Sequence, residues 1–302
     1  MITRRGFFAT SSLALAAAGC QTLQNCSCSG KACGCGKVKF RFGMAGYTCN
    51  RLTVDETLAL LKRLDVRNLC IKDFHLPFTS TDAQIAEFKQ KCADHGVTGY
   101  GLGPVYMDKK DRAKEVFEFA KRVGVNTVVG VPFEMKKIGG KDVRAESRSL
   151  CEFISGLCRE YGIRYAIHNH GPDIPYLFPT GASSWNMVKD LDPLMGLCLD
   201  VGHDFRAKAN PADTIRRCRS RIYDMHVKNV KFDPVKNRAM PMPRGDMNMW
   251  EIVKALVETG YDNCCSLEYE SFPEKGTKPG IKESDVAESV GYFKGLMKAA
   301  EG

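Results

Sequence analysis

Only two tryptophans occur in the 302 residues, and no apolar run is long enough to cross a bilayer as a helix. Multi-span membrane architecture is thereby excluded. No two of the 14 cysteines have the C-x2-C spacing of common zinc modules, and their irregular placement argues against a disulfide framework. No glycine-rich phosphate loop follows the first strand-like run, because Gly43-Met44-Ala45-Gly46 lacks that spacing; this disfavours a doubly wound, dinucleotide-binding sheet. The formal net charge is only +9, and two of its cations, Arg4 and Arg5, lie in a segment expected to be removed. The other basic residues interleave with acids, which reads as a solvated surface and not as a nucleic-acid groove. With 44% hydrophobic and 26% charged residues, the composition is that of a globular protein.

What is present begins with a targeting pattern. Thr3-Arg4-Arg5-Gly6-Phe7-Phe8 sets paired arginines before an apolar run that ends at Gly19-Cys20. Residues 1–20 resemble a twin-arginine export signal, and Ala17-Ala18-Gly19-Cys20 resembles a lipobox whose Cys20 is lipidated. An ordinary secretory signal with incidental arginines is the competing reading. The expectation is an exported, periplasmic or cell-envelope protein, touching the membrane only through Cys20. Residues 21–36 carry Cys26, Cys28, Cys33 and Cys35 among Ser, Gly and Lys. They read as a flexible tether, with a soft-metal or disulfide cluster as the alternative. Several of the remaining cysteines fall in apolar runs, where a free Cys packs as a small hydrophobe.

From residue 37 to 302 the pattern alternates between strand-like and helical segments. Apolar strand-like runs fall near 38–46, 67–73, 97–103, 125–131, 163–168, 196–201, 221–227 and 263–269. Between them Val54, Leu58, Leu61 and Leu64 share one helical face behind a Thr53-x-x-Glu56 capping box. A second helix opens at Thr81-x-x-Gln84, buries Ile85, Phe88 and Cys92, and closes at Gly96; a third runs from about Lys109 to Val123 and stops at Gly124. Further helices are expected over 141–161, 183–190, 211–218, 248–259 and 283–299. Eight strand-then-helix units predict a single-domain α/β fold, the (β/α)8 barrel, whose usual length is about 250 residues. Trp185 and Trp250 fall in helical regions, where core packing is the expected use.

Such barrels do their chemistry where strands end and the following loops begin. Five of the six histidines lie at such points: His75, His168, His170, His203 and His226. Asp200 ends the sixth strand-like run, and Glu268 and Glu270 end the eighth. His168, Asp200, His226 and Glu268 come from four successive strands and can converge at the barrel mouth. Two imidazoles and two carboxylates suit one divalent ion of intermediate hardness (Mn2+, Co2+, Fe2+ or Zn2+) better than Ca2+. The loops 171–181 and 229–247, rich in Gly and Pro, are expected to cover the site.

The runs Ala166-Ile-His-Asn-His-Gly-Pro172, Leu199-Asp-Val-Gly-His203, Arg221-Ile-Tyr-Asp-Met-His-Val-Lys228 and Ser266-Leu-Glu-Tyr-Glu270 resemble the xylose isomerase-like barrel family of sugar-phosphate isomerases and epimerases. The resemblance spans about 38–298. It implies one divalent metal held by His168, Asp200, His226 and Glu268, with His203 and Arg206 near substrate and His170 beside them. Lys72 and His75, in Ile71-Lys-Asp-Phe-His-Leu-Pro77, would line the same mouth. It also implies chemistry by proton removal next to a carbonyl, with Glu268 the first choice as base and His170 and His203 returning the proton or assisting loss of a hydroxyl. The expected ligand is a small sugar or keto-sugar, and pairing into homodimers is common in the family.

Two departures from the family pattern stand out. His168 replaces the strand-five Glu of ketose epimerases, which weakens epimerisation by a carboxylate pair and resembles the inosose dehydratase branch. Asn229 stands where many members have Asp after His-x-Lys. Three function classes follow: a metal-dependent sugar isomerase or epimerase, a keto-sugar dehydratase, and a non-catalytic lipid-anchored sugar-binding barrel. The related apurinic endonucleases need further His ligands, and strand three, ending Gly101-Leu-Gly-Pro104, supplies none.

Overall fold

The computed structural model describes residues 37–133, 141–172, 178–232, 238–270 and 281–302. The export signal, Cys20 and the tether cysteines lie outside the described residues. Eight parallel strands close into a barrel: β1 (Arg41–Ala45), β2 (Asn68–Ile71), β3 (Thr98–Tyr106), β4 (Thr127–Val131), β5 (Arg164–His168), β6 (Met195–Asp200), β7 (Ile222–Val227) and β10 (Cys264–Leu267), the last pairing with both β7 and β1. β4 and β6 are buried along their whole length. That is what parallel strands covered by helices on one side and packed barrel interior on the other require.

The helices begin and end where local chemistry dictates. Thr53 and Thr81 close reciprocal capping boxes with Glu56 and Gln84, starting α1 (Val54–Arg63) and α2 (Asp82–Asp94). Gly124 and Gly162, at φ +81° and +67°, end α3 (Lys110–Val123) and α4 (Arg144–Tyr161) in the left-handed conformation that glycine adopts without penalty. The remaining helices are α5 (Gly181–Val188), α6 (Val201–Arg206), α7 (Pro211–Cys218), α8 (Met249–Glu258) and α9 (Glu283–Ala300). Trp185 and Trp250 pack against the core, and the nine described cysteines are all free and buried.

Two features differ from the expected pattern. α6 is a six-residue helix directly after β6, too short to show a hydrophobic period. The segment expected to be a loop over 229–247 contains an antiparallel hairpin, β8 (Asn229–Lys231) with β9 (Arg238–Met240). Asn229 anchors it: its side-chain amide donates to the carbonyls of Met242 and Met247 at 2.7 and 3.2 Å, and its side-chain oxygen accepts from the backbone N–H of Met247 at 3.0 Å. An ionised aspartate has no N–H to donate, so the Asn at this position follows from its structural task.

Close packing between β6 and β7 depends on a missing side chain. A Cβ added at Gly196 would lie 2.2 Å from the Arg221 carbonyl oxygen and 2.5 Å from the Tyr223 ring. A Cβ at Gly291, in α9, would meet nothing within 4 Å. Urea unfolding followed by circular dichroism is expected to show Gly196→Ala destabilised by about 1–3 kcal/mol. In the same assay Gly291→Ala should be stabilised by roughly 0.5–1 kcal/mol, since it only relieves helix entropy.

Candidate active site

Strand register assembles the site. Asp200 pairs with His226 across β6 and β7, and His168 pairs with Cys198 across β5 and β6. Glu268 follows β10 directly, and its N–H donates to the Val227 carbonyl at 3.0 Å. The four candidate ligands therefore leave four adjacent strands at the same end of the barrel. One donor atom from each of His168, Asp200, His226 and Glu268 lies within 4.8 Å of the others, and all four side chains are buried.

Their separations are those of a convergent set. His168 Nε2 is 3.4 Å from Asp200 Oδ2 and 3.9 Å from Glu268 Oε2, and His226 Nδ1 is 3.2 Å from Glu268 Oε2. Both ring nitrogens of His168 and His226, with His203 Nε2, are buried without a well-formed hydrogen bond, and Asp200 Oδ2 and Glu268 Oε2 are met only by imidazole nitrogens and one ammonium. Buried polar atoms ordinarily find partners, so such a concentration marks a place built for something other than protein. Two imidazoles and two carboxylates fit a divalent transition metal.

Asp200 serves two purposes. Its Oδ1 accepts the His203 N–H at 2.9 Å and so caps α6, while Oδ2 faces the cluster. The cap swings His203 and Arg206 over the mouth, where Arg206 Nη1 is 3.3 Å from His203 Nδ1. The His170 and His203 rings lie beside His168 with centroids 4.6 Å apart and planes tilted by 31°. The structure thus brings His168, His170, Asp200, His203, His226 and Glu268 together. Lys72 and His75 have other partners: Lys72 pairs with Asp73, and His75 Nε2 lies 3.2 Å from the Thr57 hydroxyl of α1.

Three residues of the site carry no assigned role in the sequence reading. Lys228, 3% exposed, places Nζ 2.9 Å from Asp200 Oδ2 and 2.7 Å from Glu268 Oε2. Glu270 Oε1 is 3.6 Å from the same ammonium. Asn169 joins the ends of β5 and β6, accepting from the Asp200 N–H at 2.8 Å and donating to the Asp200 carbonyl at 3.1 Å. The signal for the first two was period two along a strand: Lys228 follows His226, and Glu270 follows Glu268, by two residues.

Electrostatics follow from this packing. Burial works against ionised Asp200 and Glu268, but neighbouring imidazoles and the Lys228 ammonium outweigh it and hold both carboxyls below their usual range. Burial likewise opposes the Lys228 charge, and Asp200, Glu268 and Glu270 overcome it, keeping the ammonium protonated. Burial, aided by His168 and Lys228, lowers His170 to about 4, and burial holds His203 well below the ordinary histidine value. Both are neutral at pH 7, so each presents a nitrogen able to accept a proton.

The fold and this cluster define a (β/α)8 barrel with a candidate metal-ligand set at the C-terminal ends of its strands. The chain belongs to the xylose isomerase-like TIM barrel family, matched over residues 64–294. Among sequence relatives is a mannonate dehydratase of Enterococcus faecalis, 25% identical over 172 residues, covering 53% of this chain and 48% of the relative. The chain spans less than half the length of the curated relatives it matches. D-psicose 3-epimerase of Clostridium cellulolyticum, solved with D-tagatose, has the same fold at 16% identity and TM-score 0.68, covering 85% of this chain and 99% of that one. A xylose isomerase-like barrel from Mycobacterium smegmatis in complex with magnesium superposes at 17% identity and TM-score 0.64, covering 87% and 98%. An IolI protein with bound zinc does so at 17% identity and TM-score 0.65, covering 86% and 98%.

Asn169 is fully buried, and a third contact ties it to Asp204 at 3.2 Å. Asn169→Ala is expected to cost about 1–3 kcal/mol for each backbone group it strands. It should also weaken metal retention, because Asp200 loses its orientation. Urea unfolding and metal content of the purified variant check both, and unchanged values would remove Asn169 from the site's support.

Proposed function

We propose that this barrel is a divalent-metal-dependent enzyme acting on a sugar or keto-sugar by removing a proton from the carbon next to a carbonyl, with isomerisation or epimerisation as the outcome. The observation that carries the reading is the convergence of His168, Asp200, His226 and Glu268 within 4.8 Å at the ends of four adjacent strands. A psicose epimerase that shares the fold was solved with a sugar, and other neighbours hold zinc or magnesium; these support the substrate class and the cofactor. Mn2+, Co2+, Fe2+ or Zn2+ suits the mixed imidazole and carboxylate donors.

When bound, the ion would supply Lewis-acid stabilisation of the enediolate oxygen. His168, His226 and Lys228 all face Oε2 of Glu268, which leaves Oε1 as the atom that takes the proton from the α-carbon. His170 and His203, side by side next to the cluster, receive that proton and return it to a neighbouring carbon or to a departing hydroxyl. His203 and Arg206 are the proposed contacts to substrate hydroxyls.

One feature favours a second reading, the loss of water from a keto-sugar. His168 stands where ketose epimerases carry the strand-five carboxylate, and a dehydratase occurs among the sequence relatives. Export with a lipidated Cys20 belongs to the same proposal and favours an unphosphorylated substrate over a phosphorylated intracellular one.

Elemental analysis of the purified chain and of an Asp200→Ala, His226→Ala double variant provides the first test. About one transition-metal ion per chain, lost in the variant, is the expected result. Keto-sugars incubated in D2O should then acquire deuterium at the α-carbon, and Glu268→Gln should slow that exchange by about 10²–10⁴-fold. A chain that folds and binds no metal sinks the mechanism and leaves a sugar-binding barrel. Product analysis separates isomer from dehydration product.

A further inference from the structure

The two carboxylate oxygens that would bind the metal are already taken. Lys228 Nζ lies 2.9 Å from Asp200 Oδ2 and 2.7 Å from Glu268 Oε2, the buried oxygens named above as part of the ligand set. Metal–oxygen bonds in such sites are about 2.0–2.2 Å long. An ion at that distance from both oxygens would stand close against the ammonium, two cations sharing one small, buried space. The two occupancies exclude each other.

The placement is built and not incidental. Lys228 is 3% exposed, and its aliphatic stem runs across Gly202. A Cβ at Gly202 would lie 2.5 Å from Lys228 Cγ and 2.7 Å from Cδ, although nothing in the conformation of Gly202 calls for glycine, since its φ is not positive. The missing side chain opens the channel through which the lysine reaches the centre. On the mouth side a third carboxylate, Glu270, stands 3.6 Å from Nζ and retains a side-chain exposure of 25%.

We propose that Lys228 is a built-in counter-ion that occupies the metal's place in the metal-free protein and is exchanged for the ion, its ammonium moving outward to Glu270. The proposal rests on the metal reading given above. It goes further in assigning to one residue both the stability of the metal-free site and a cap on its metal affinity. Without a cation, Asp200 and Glu268 would be two buried charges facing each other, an arrangement proteins do not sustain. With Lys228 in place the strand ends stay assembled, and every ion that binds must first displace an ion pair.

Lys228→Met removes the competing charge and keeps the length of the side chain. Titration of the metal-stripped full-length chains with Mn2+ alone, followed by calorimetry and by the electron paramagnetic resonance of free Mn2+, reads the affinity directly. Lys228→Met should bind Mn2+ more tightly by about 5- to 150-fold, the usual range for coupling between two binding events. The metal-free variant should melt below the metal-free wild type, so its gain in Tm on saturation with Mn2+ should be the larger. Merely structural damage would weaken metal binding, so the two signs together are diagnostic.

Gly202→Ala retains every charged group and only obstructs the stem. It should shift affinity in the same direction, and it carries the test if Lys228→Met fails to fold. Wild-type binding with variants that bind equally or more weakly overturns the exchange and leaves the metal site standing. Binding by none of the three overturns the metal reading and the exchange with it.

Discussion

Two carboxylates buried side by side cannot both remain ionised unless a cation stands between them. Asp200 and Glu268 are brought to that condition by the closed barrel, which delivers the ends of β6 and β10 to either side of β7. Removing a carboxylate from water costs several kcal/mol even after the surroundings relax, and only a close opposite charge returns it. Much of the local architecture follows. His168 and His226 supply nitrogens, Lys228 supplies charge, Gly202 makes room for Lys228, and Asn169 holds the Asp200 backbone so that one carboxylate oxygen faces inward.

A second buried acid carries this order outward. Asp204 receives the Gly181 N–H at 2.7 Å and the Thr214 hydroxyl at 2.6 Å, tying α6 to the starts of α5 and α7. Burial, partly offset by these hydrogen bonds, raises its carboxyl to about 6. The short helix bearing His203 and Arg206 is therefore fixed at both ends: Asp200 caps its start, and Asp204 binds it to its neighbours. Side chains on a loop over a barrel mouth gain positional precision only through such supports.

The barrel was legible because each strand is an apolar run of four to nine residues and most are followed by a capped or glycine-terminated helix. His168, Asp200, His226 and Glu268 were legible for a related reason: polar residues ending apolar strands are conspicuous against their background. Lys228 escaped for the opposite reason. Just past a strand end, followed by Asn229 and by a further lysine three residues on, it reads as a solvated cation, and only the placement of Asp200 and Glu268 reveals its partners. Asn169 was hidden in the same way, since its bonds are to backbone groups at the end of another strand. α6 and the hairpin over β8 and β9 are too short for periodicity, and tertiary contacts from Asp200 and Asn229 define them.

His168, on the proposed reading, stands where ketose epimerases carry a carboxylate, which bears on both charge and proton transfer. On the proposed reading, a divalent ion facing two carboxylates is balanced, and Lys228 displaced toward Glu270 is balanced separately. The carboxylate that His168 omits would have added a further negative charge where an enediolate has to form, so its omission favours that anion. The same replacement removes a base. Inversion of a carbon by two carboxylates needs one on each face, and here the second position near the cluster is taken by the neutral imidazoles of His170 and His203. A neutral imidazole is only a weak acid through its one N–H, and it becomes an effective donor to a departing hydroxyl once it has received a second proton. On that reading, acid catalysis by these imidazoles draws on the proton that Glu268 takes from carbon. Transfer of a single proton from one carbon to its neighbour, or from carbon to a hydroxyl leaving from the same face, satisfies that requirement; inversion between two carboxylates does not.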